Sequence, residues 1–214
     1  MGQSYLFNYN VIYLPNFIEA TQEKSEIIEL KGYEGKRIIC VANFRPQKNH
    51  KLLLEVAHTI KKQFPEWTFH LFGKDFEDAY FRDIKNTIKS LNLEENVFLY
   101  GSTNSISSAL QQCDIAILTS LSEGLPLALL EYGKHSLPVV ATKVGQIDKI
   151  ITSEKEGLIV DSNDVNQFIN AVNKLISDKF YRNEIALTLN KKIQGEYSEK
   201  NIIEKYIKWL ISLF

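Results

Sequence analysis

The sequence predicts an α/β fold in which a single doubly wound parallel sheet of about six strands is flanked by helices. Two observations carry this prediction. Short apolar runs recur between residues 38 and 160, and their hydrophobicity is continuous rather than alternating, as in strands covered on both faces. Segments with helical spacing separate the runs, and strands that alternate with helices form right-handed βαβ units.

Six apolar runs are the candidate strands. In chain order they cover residues 38–42, 68–72, 97–100, 115–118, 138–141 and 158–160. The helical segments have apolar residues three and four positions apart. These residues are Leu53, Val56 and Ile60; Phe81, Ile84, Ile88 and Leu91; and, after the last run, Val165, Phe168, Ile169, Val172 and Leu175. Together the runs and stripes predict a Rossmann-like domain.

Three segments make up the predicted organisation. Residues 1–36 form a lead-in, in which 11–16 resembles a short strand ending in a turn and 20–36 is polar and loop-like. Residues 37–197 form the Rossmann-like domain. Residues 198–214 form a last helix that Ser198 can cap. That helix is apolar on more than one face, which indicates a packing partner outside this chain.

Composition and charge narrow the function classes. The 214 residues are 44% apolar and 24% charged with a formal net charge of −1, as in an ordinary soluble globular protein. A nucleic-acid partner would select a basic excess, so we expect none. No apolar stretch approaches the roughly 18 residues of a membrane span, and the N-terminus lacks the features of a signal peptide. Cys40 and Cys113 are expected to be buried, reduced thiols of a cytoplasmic protein.

The most informative segment is Ser-Glu-Gly-Leu-Pro at residues 122–126, between the fourth apolar run and a helix that carries Glu131. Pro126 suits the first helical position, because its φ is fixed and its missing N–H costs nothing there. Gly124 allows a ligand to approach the backbone. A helix N-terminus attracts anions, although this dipole alone would also stabilise a lone Glu123. The pair of carboxylates favours a ligand that is both anionic and rich in hydroxyl groups, such as a nucleotide sugar.

A basic loop follows the first run, where ligands of open α/β sheets bind beyond the carboxyl ends of the strands. It reads Asn-Phe-Arg-Pro-Gln-Lys-Asn-His over residues 43–50 and opens a helix. Its cations, Arg45 and Lys48, could neutralise a diphosphate together with the helix start at Pro126. The alternative is a solvated basic loop without a ligand.

The next two loops are less specific. Gly73 follows the second run without the spacing of a dinucleotide fingerprint, so NAD binding loses most of its support. Ser102 and Thr103 follow the third run, where they could present backbone groups to a nucleobase or simply make a turn and cap a helix. The histidines lack neighbouring cysteines or carboxylate clusters, so they are interpreted as structural and no metal site is predicted. They are His50, His58, His70 and His135.

The segment 122–126 with Glu131, together with the basic loop at 43–50, resembles the signature of glycosyltransferase family 4, the retaining "group 1" glycosyltransferases of the GT-B fold. The family's E-x7-E motif matches Glu123 and Glu131 in spacing and context. The resemblance extends over nearly the whole chain from about residue 11. Its further matches are residues 45–50, residues 114–118, residues 137–142, Gly145 and Gly157.

The resemblance implies a role for each candidate residue. Glu123 would hold sugar hydroxyls, Glu131 would accept hydrogen bonds from the ribose, and Lys48 would neutralise the diphosphate. Arg45 would be a further cation of the catalytic set, in place of the arginine that many members carry at position 43. Cations and a helix dipole would stabilise the leaving diphosphate, so no metal or other cofactor is implied. The remaining donor-binding candidates are the backbone of Gly124 and Leu125, then Ser102, Thr103, Gly73 and Asn43.

Three positions depart from the family pattern. Many members carry Arg where Asn43 stands, Gly where Gln146 follows Gly145, and Glu where Lys149 stands. The donor contacts near Gly145 are therefore not carried over from the family.

The implied reaction transfers a sugar, with retention, from a nucleoside-diphosphate sugar to a saccharide or lipid-linked acceptor, as in polysaccharide biosynthesis. The chain matches the C-terminal, donor-binding half of a GT-B enzyme, so the isolated chain is expected to be inactive without an N-terminal domain or partner subunit. It could be a fragment, a truncated product or a subunit of a split enzyme, and peripheral membrane association through the absent half stays open. The alternatives are a non-catalytic nucleotide-sugar-binding subunit, half of a GT-B nucleotide-sugar epimerase, and a plain Rossmann dehydrogenase domain.

Overall fold

The computed structural model describes residues 11–18 and 27–213, which form an α/β structure around a six-stranded parallel sheet. The strands are β1 (Arg37–Val41), β2 (Thr68–Phe72), β3 (Val97–Gly101), β4 (Ile115–Leu118), β5 (Val139–Thr142) and β6 (Leu158–Val160). Their order across the sheet is β3-β2-β1-β4-β5-β6, the order of doubly wound nucleotide-binding folds. The predicted fold class is confirmed, and every strand lies within one residue of its predicted bounds.

Eight helices and a short 3₁₀ turn, Pro46–Lys48, connect the strands in the described part of the chain. The helices are α1 (His50–Gln63), α2 (Ala79–Ser90), α3 (Ile106–Leu110), α4 (Leu127–Lys134), α5 (Ile147–Ile150), α6 (Val165–Ser177), α7 (Lys179–Glu196) and α8 (Glu199–Ile211). The apolar stripes predict α1, α2 and α6. They do not predict α7, because Phe180 and Leu187 are exposed on it beside its buried Ile185 and Leu189 and obscure the stripe.

The sheet separates two apolar layers, because successive side chains of a strand point to opposite faces. Ile38 of β1 packs in the layer that contains α1, α2 and α6. Ile39 packs in the layer that contains α3, α4, α5 and α7. Cys40 and Cys113 are buried free thiols, and burial raises the pKa of Cys40 to about 12. Both cysteines therefore serve as small apolar groups of the core.

The winding of the chain reverses between β1 and β4, which makes this point the topological switch of the sheet. The two strands pair through residues 38–39 and 115–116. Beyond these pairs, each strand continues to its carboxyl end, where the connecting loops begin. Tyr132 of α4 is fully buried beside this point. The Val41 N–H donates to the Tyr132 hydroxyl oxygen at 2.6 Å. The tyrosine thus satisfies a backbone donor at the end of β1.

Replacing Tyr132 with phenylalanine is expected to lower the free energy of unfolding by about 1–3 kcal/mol, because the Val41 N–H would lose its acceptor beside the fully buried Tyr132 ring. Urea denaturation of the wild type and Tyr132→Phe measures the change. Tyr33→Phe, at a side chain that is 67% exposed, is the matched control and should stay within about 0.5 kcal/mol. Equal effects of the two substitutions would show that the Val41 contact does not stabilise the fold.

The lead-in differs from its prediction. Residues 11–17 form no strand, so the predicted strand at 11–16 is wrong, and Ile18 makes only an isolated bridge with Ser198. Side chains hold the segment instead: the Tyr13 hydroxyl donates to Gln146 Oε1 at 2.5 Å. Residues 27–36 have no helix or strand, as predicted, whereas the rest of the polar stretch from residue 20 lies outside the described residues.

The last helix, α8, has Ser198 at its N-cap position, as predicted, although the serine side chain makes no capping hydrogen bond. Ile202 is the one buried residue of the helix. The exposed apolar side chains on and just after α8 are Ile203, Tyr206, Ile207, Leu210, Ile211 and Leu213. Among the described residues, no helix combines the length and apolarity that crossing a bilayer requires.

Candidate functional site

An ion pair joins the loops that follow β1 and β4. Lys48 ends the 3₁₀ turn after β1, and Glu123 lies in the loop between β4 and α4. The distance from Lys48 Nζ to Glu123 Oε1 is 2.6 Å, with the two side chains 23% and 7% exposed. The structure thus brings the two principal predicted residues together at the topological switch, which is where open α/β sheets bind their ligands.

Hydrogen bonds fix the two loops to one another. The Leu121 N–H donates to the Gln47 carbonyl at 2.8 Å, and Thr119 Oγ1 donates to the Lys48 carbonyl at 3.0 Å. These bonds hold the backbone on both sides of the Lys48–Glu123 ion pair.

The backbone of Gly124 and Leu125 is held from two further directions. The Gln146 N–H donates to the Gly124 carbonyl at 3.0 Å, and Asn16 Nδ2 donates to the Leu125 carbonyl at 2.9 Å. A Cβ placed at Gly145 would fall 2.0 Å from the Glu123 carbonyl oxygen, so a glycine is required for this approach. A Cβ at Gly124 would meet no protein atom within 4 Å, which leaves open space beside this loop.

Helix α4 begins at Leu127, one residue later than predicted. Pro126 has φ −72° and ψ 121°, and because this ψ is extended rather than helical, the proline is the N-cap instead of the first helical residue. The first N–H groups of a helix have no intrahelical partner and carry the positive end of its dipole. Leu127 and Ala128 line the cleft next to Lys48, so two sources of positive charge face the same space.

The cleft at this edge has a volume of about 440 Å³. A smaller cleft of about 190 Å³ shares part of its wall and extends along the loop after β3. The shared wall residues are Val41, Asn43, Phe72 and Gly73. Of the predicted site residues, Lys48, Glu123 and Leu125 line the larger cleft and Ser102 and Thr103 the smaller one. An elongated ligand could therefore occupy both.

Arg45 and Glu131 do not line either cleft. Arg45 is exposed, and its guanidinium carbon lies 4.6 Å from the centre of the Phe76 ring. Glu131 lies one helical turn beyond Ala128, on the same side of α4, and its side chain is 31% exposed, 3.9 Å from the His135 ring. The Arg45 guanidinium packs on Phe76 rather than facing the space where a diphosphate would lie, and the Glu131 carboxylate lies beside His135 rather than on a cleft wall.

The loop after β3 is compatible with both interpretations made from the sequence, a turn before a helix and a contact for a nucleobase. Thr103 Oγ1 accepts a hydrogen bond from the Ser105 N–H at 3.0 Å, just before α3 begins at Ile106, which is the turn that the sequence allows. Ser102 and Thr103 also line the smaller cleft, so the same turn forms part of the wall of a ligand-sized space.

The histidines near this edge are packing groups. His50 is buried and stacks on Phe44, with ring centres 4.6 Å apart, and burial lowers its pKa to about 4. His70 is buried as well, and burial lowers its pKa to about 3. Both rings are therefore uncharged at neutral pH. Within the described ranges, no group of three His, Cys, Asp or Glu side chains is arranged to hold a metal ion.

Several residues that shape the site are not among those predicted from the sequence. Thr119 and Ser120 are buried polar residues directly after an apolar run, and this abrupt change from apolar to hydroxyl side chains is a signal that could have identified them. Asn16 and Gly145 act through contacts with distant parts of the chain. No local pattern would have assigned those contacts.

Comparisons with known proteins agree on one family. The family described as "Glycosyl transferases group 1" matches residues 21–192, which is more than half of the chain. The poly(ribitol-phosphate) alpha-N-acetylglucosaminyltransferase of Staphylococcus aureus is 27% identical over 201 residues, 92% of this chain and 39% of that enzyme. The chain spans about half or less of the length of the curated relatives that it matches.

Two solved structures define the similarity in three dimensions. S. aureus TarM, crystallised as a variant with fondaparinux, alpha-GlcNAc-glycerol and UDP, has a TM-score of 0.77 and 25% identity, covering 92% of this chain and 39% of that chain. The C-terminal domain of the group 1 protein LpcC from Francisella tularensis has a TM-score of 0.70 and 27% identity, covering 78% of this chain and 88% of that chain.

Proposed function

The chain belongs to the group 1 glycosyltransferases, and from this membership we propose that it is the donor-binding half of a retaining enzyme. The reaction would move a sugar from a nucleoside-diphosphate sugar to a saccharide or lipid-linked acceptor. The observation that carries the proposal is the Lys48–Glu123 pair, which lies between the loops of β1 and β4 at the wall of the larger cleft.

In the proposed complex, the diphosphate lies against Lys48 and the start of α4. The lysine charge and the helix dipole both favour an anion there. Glu123 accepts hydrogen bonds from sugar hydroxyls, and the backbone of Gly124 and Leu125 contacts the sugar or the distal phosphate. Glu131 accepts bonds from the ribose. Catalysis would come mainly from positioning and from stabilising the departing diphosphate, and we propose that these groups do so without a bound metal.

We propose that an N-terminal half completes the enzyme. The exposed apolar side of α8 supports this, because residues such as Ile207 and Leu210 are 47% and 39% exposed and would gain a packing partner. The similarity in length to the C-terminal domain of LpcC also supports it. Under this proposal the chain binds donor but transfers little or no sugar by itself.

Isothermal titration calorimetry with UDP-glucose, UDP-N-acetylglucosamine, GDP-mannose and ADP-glucose tests the proposal. Because TarM was crystallised with UDP, the uridine sugars come first. We expect the chain to bind at least one of the four and to bind it at least tenfold more weakly after Glu123→Gln, since hydrogen bonds to a charged group contribute about 1.5–3 kcal/mol.

Three results would count against this function, in whole or in part. Absence of binding to all four nucleotide sugars would reject the donor site. Robust sugar transfer by the 214-residue chain would keep the donor site and reject the half-enzyme part. Epimerisation of a bound nucleotide sugar, detected by NMR of the product, would favour the epimerase alternative.

A further inference from the structure

We propose that Ser120 is a positioning residue that aims the Glu123 carboxylate at the sugar of the donor. The inference rests on the proposed function, because it gives Ser120 a role only if Glu123 binds the sugar. Ser120 would touch no substrate itself and would act through Glu123.

The first support is the burial of hydroxyl groups at the end of β4. Leu118 ends the strand, and the next two residues, Thr119 and Ser120, are each 1% exposed. A buried hydroxyl is stable only with a hydrogen-bond partner. The partners here are parts of the candidate site: Thr119 donates to the Lys48 carbonyl and Ser120 to the Glu123 side chain. Each hydroxyl therefore binds one member of the Lys48–Glu123 ion pair.

The second support is the geometry at the carboxylate. Ser120 Oγ donates to Glu123 Oε1 at 2.6 Å, a distance typical of a strong bond to a charged acceptor. Lys48 Nζ lies 2.6 Å from the same oxygen. The last torsion of a glutamate is otherwise broad. With both described partners on Oε1, the carboxylate is fixed in one orientation that leaves Oε2 for a ligand.

The third support is that a buried hydrogen bond ties Ser120 to the sheet. Thr142 Oγ1 donates to the Ser120 carbonyl at 2.6 Å, and Thr142 is a fully buried residue of β5. The orientation of Glu123 is thus set by the sheet through Ser120. Lys48 is expected to move part of its interaction to the donor phosphate, and Ser120 would then be the partner that keeps the carboxylate in place.

Because Ser120 would act on the sugar through Glu123 and Lys48 on the diphosphate, removing the Ser120 hydroxyl should weaken binding of the nucleotide sugar more than binding of the nucleoside diphosphate. In Ser120→Ala we expect the affinity for the preferred nucleotide sugar to fall about tenfold, the size of one hydrogen bond to a charged group. The affinity for the corresponding nucleoside diphosphate should change less than about threefold, because Lys48 and α4 are untouched. Calorimetry with both ligands measures the ratio.

Ser108→Ala is the matched control. Ser108 is 9% exposed, and its Oγ accepts a hydrogen bond from the Ile28 N–H at 3.1 Å, away from the ion pair. Loss of this buried hydroxyl should destabilise the fold without altering the ratio of sugar to diphosphate affinity. A general structural effect would change both variants alike.

A double-mutant cycle separates action through Glu123 from direct action. In a Glu123→Ala background, Ser120→Ala should have no further effect on nucleotide-sugar affinity. Ser120→Cys, which keeps the volume and a weak donor, should lie between wild type and Ser120→Ala, and it serves as the test if the alanine variant does not fold. An additive loss in the cycle, or unchanged affinity in both Ser120 variants, would overturn the proposal.

The proposed function and this inference can fail separately. If Glu123→Ala leaves nucleotide-sugar binding unchanged, the sugar role of Glu123 is wrong and the function fails with it. If Glu123→Ala weakens binding and the Ser120 variants do not, the function stands and only the positioning role of Ser120 is rejected.

Discussion

Replacing Lys48 with methionine is expected to weaken binding of both the nucleoside diphosphate and its sugar about a hundredfold. The charge-assisted bonds of one lysine to phosphate oxygens contribute about 1.5–3 kcal/mol, and each 1.4 kcal/mol changes affinity tenfold. Unlike the Ser120 variants, this change should affect the two ligands alike. Calorimetry measures both affinities, with UDP and UDP-glucose or with the diphosphate and the sugar of whichever nucleotide the chain prefers.

The same variant should also lower stability. Glu123 is 7% exposed, and removal of its cationic partner leaves a buried carboxylate uncompensated, which costs several kcal/mol in buried pairs. Lys51→Met is the matched control, because Lys51 pairs with Asp83 at 2.6 Å on the surface with its side chain 56% exposed. Such pairs contribute about 0–1 kcal/mol. If Lys48→Met and Lys51→Met have the same donor affinity, the diphosphate does not contact Lys48.

Replacing Gly145 with alanine is expected to abolish donor binding and to lower the free energy of unfolding by more than about 2 kcal/mol. Gly145 has φ +60°, and a Cβ there would fall 2.0 Å from the Glu123 carbonyl oxygen and 2.8 Å from that of Gly124. Both neighbours are backbone, so the loop that carries Glu123 must move. Left-handed backbone adds about 1–2 kcal/mol for a residue with a side chain.

Gly35→Ala separates the effect of left-handed backbone strain from the effect of the clash with the Glu123 loop. Gly35 has φ +81° but would meet nothing within 4 Å of a Cβ. Its substitution adds the same kind of backbone strain without a clash, so we expect a loss of about 1 kcal/mol and unchanged donor affinity. Urea denaturation and calorimetry on both variants give the comparison. Equal donor affinity of the two variants would show that the Gly145 contact does not shape the site.

The sequence predicts the sheet well and some of the helices less well, for physical reasons. A central parallel strand such as β4 is covered on both faces, and its four residues, Ile115–Leu118, are all buried. Continuous apolarity therefore marks its bounds. Helix α7 packs against α4 and α6, and it also carries exposed apolar residues such as Leu187, so its sequence shows no clear apolar stripe. The short helices α3 and α5 have too few residues for a periodic signal.

For the site, the sequence predicts residues whose position follows from the ends of the strands. It does not predict residues whose role comes from a contact formed only in the folded chain. Lys48 and Glu123 follow strands whose carboxyl ends meet at one edge, so their proximity is predictable. Arg45 lies on the same loop, yet it precedes the 3₁₀ turn and packs on Phe76, a contact that spacing cannot reveal. Ser120 likewise acquires its role only from the hydrogen bond that the folded loop allows.

A crystal structure of the chain with its preferred nucleotide sugar tests the proposed donor site most directly. We expect the diphosphate within about 3 Å of Lys48 Nζ, with a sugar hydroxyl donating to Glu123 and the nucleoside reaching the smaller cleft near Ser102. A second cavity, also about 440 Å³, lies along α2 and β3 and presents Arg82, Lys85 and Lys89. A nucleotide bound there, with the Lys48–Glu123 cleft empty, would contradict the proposed site.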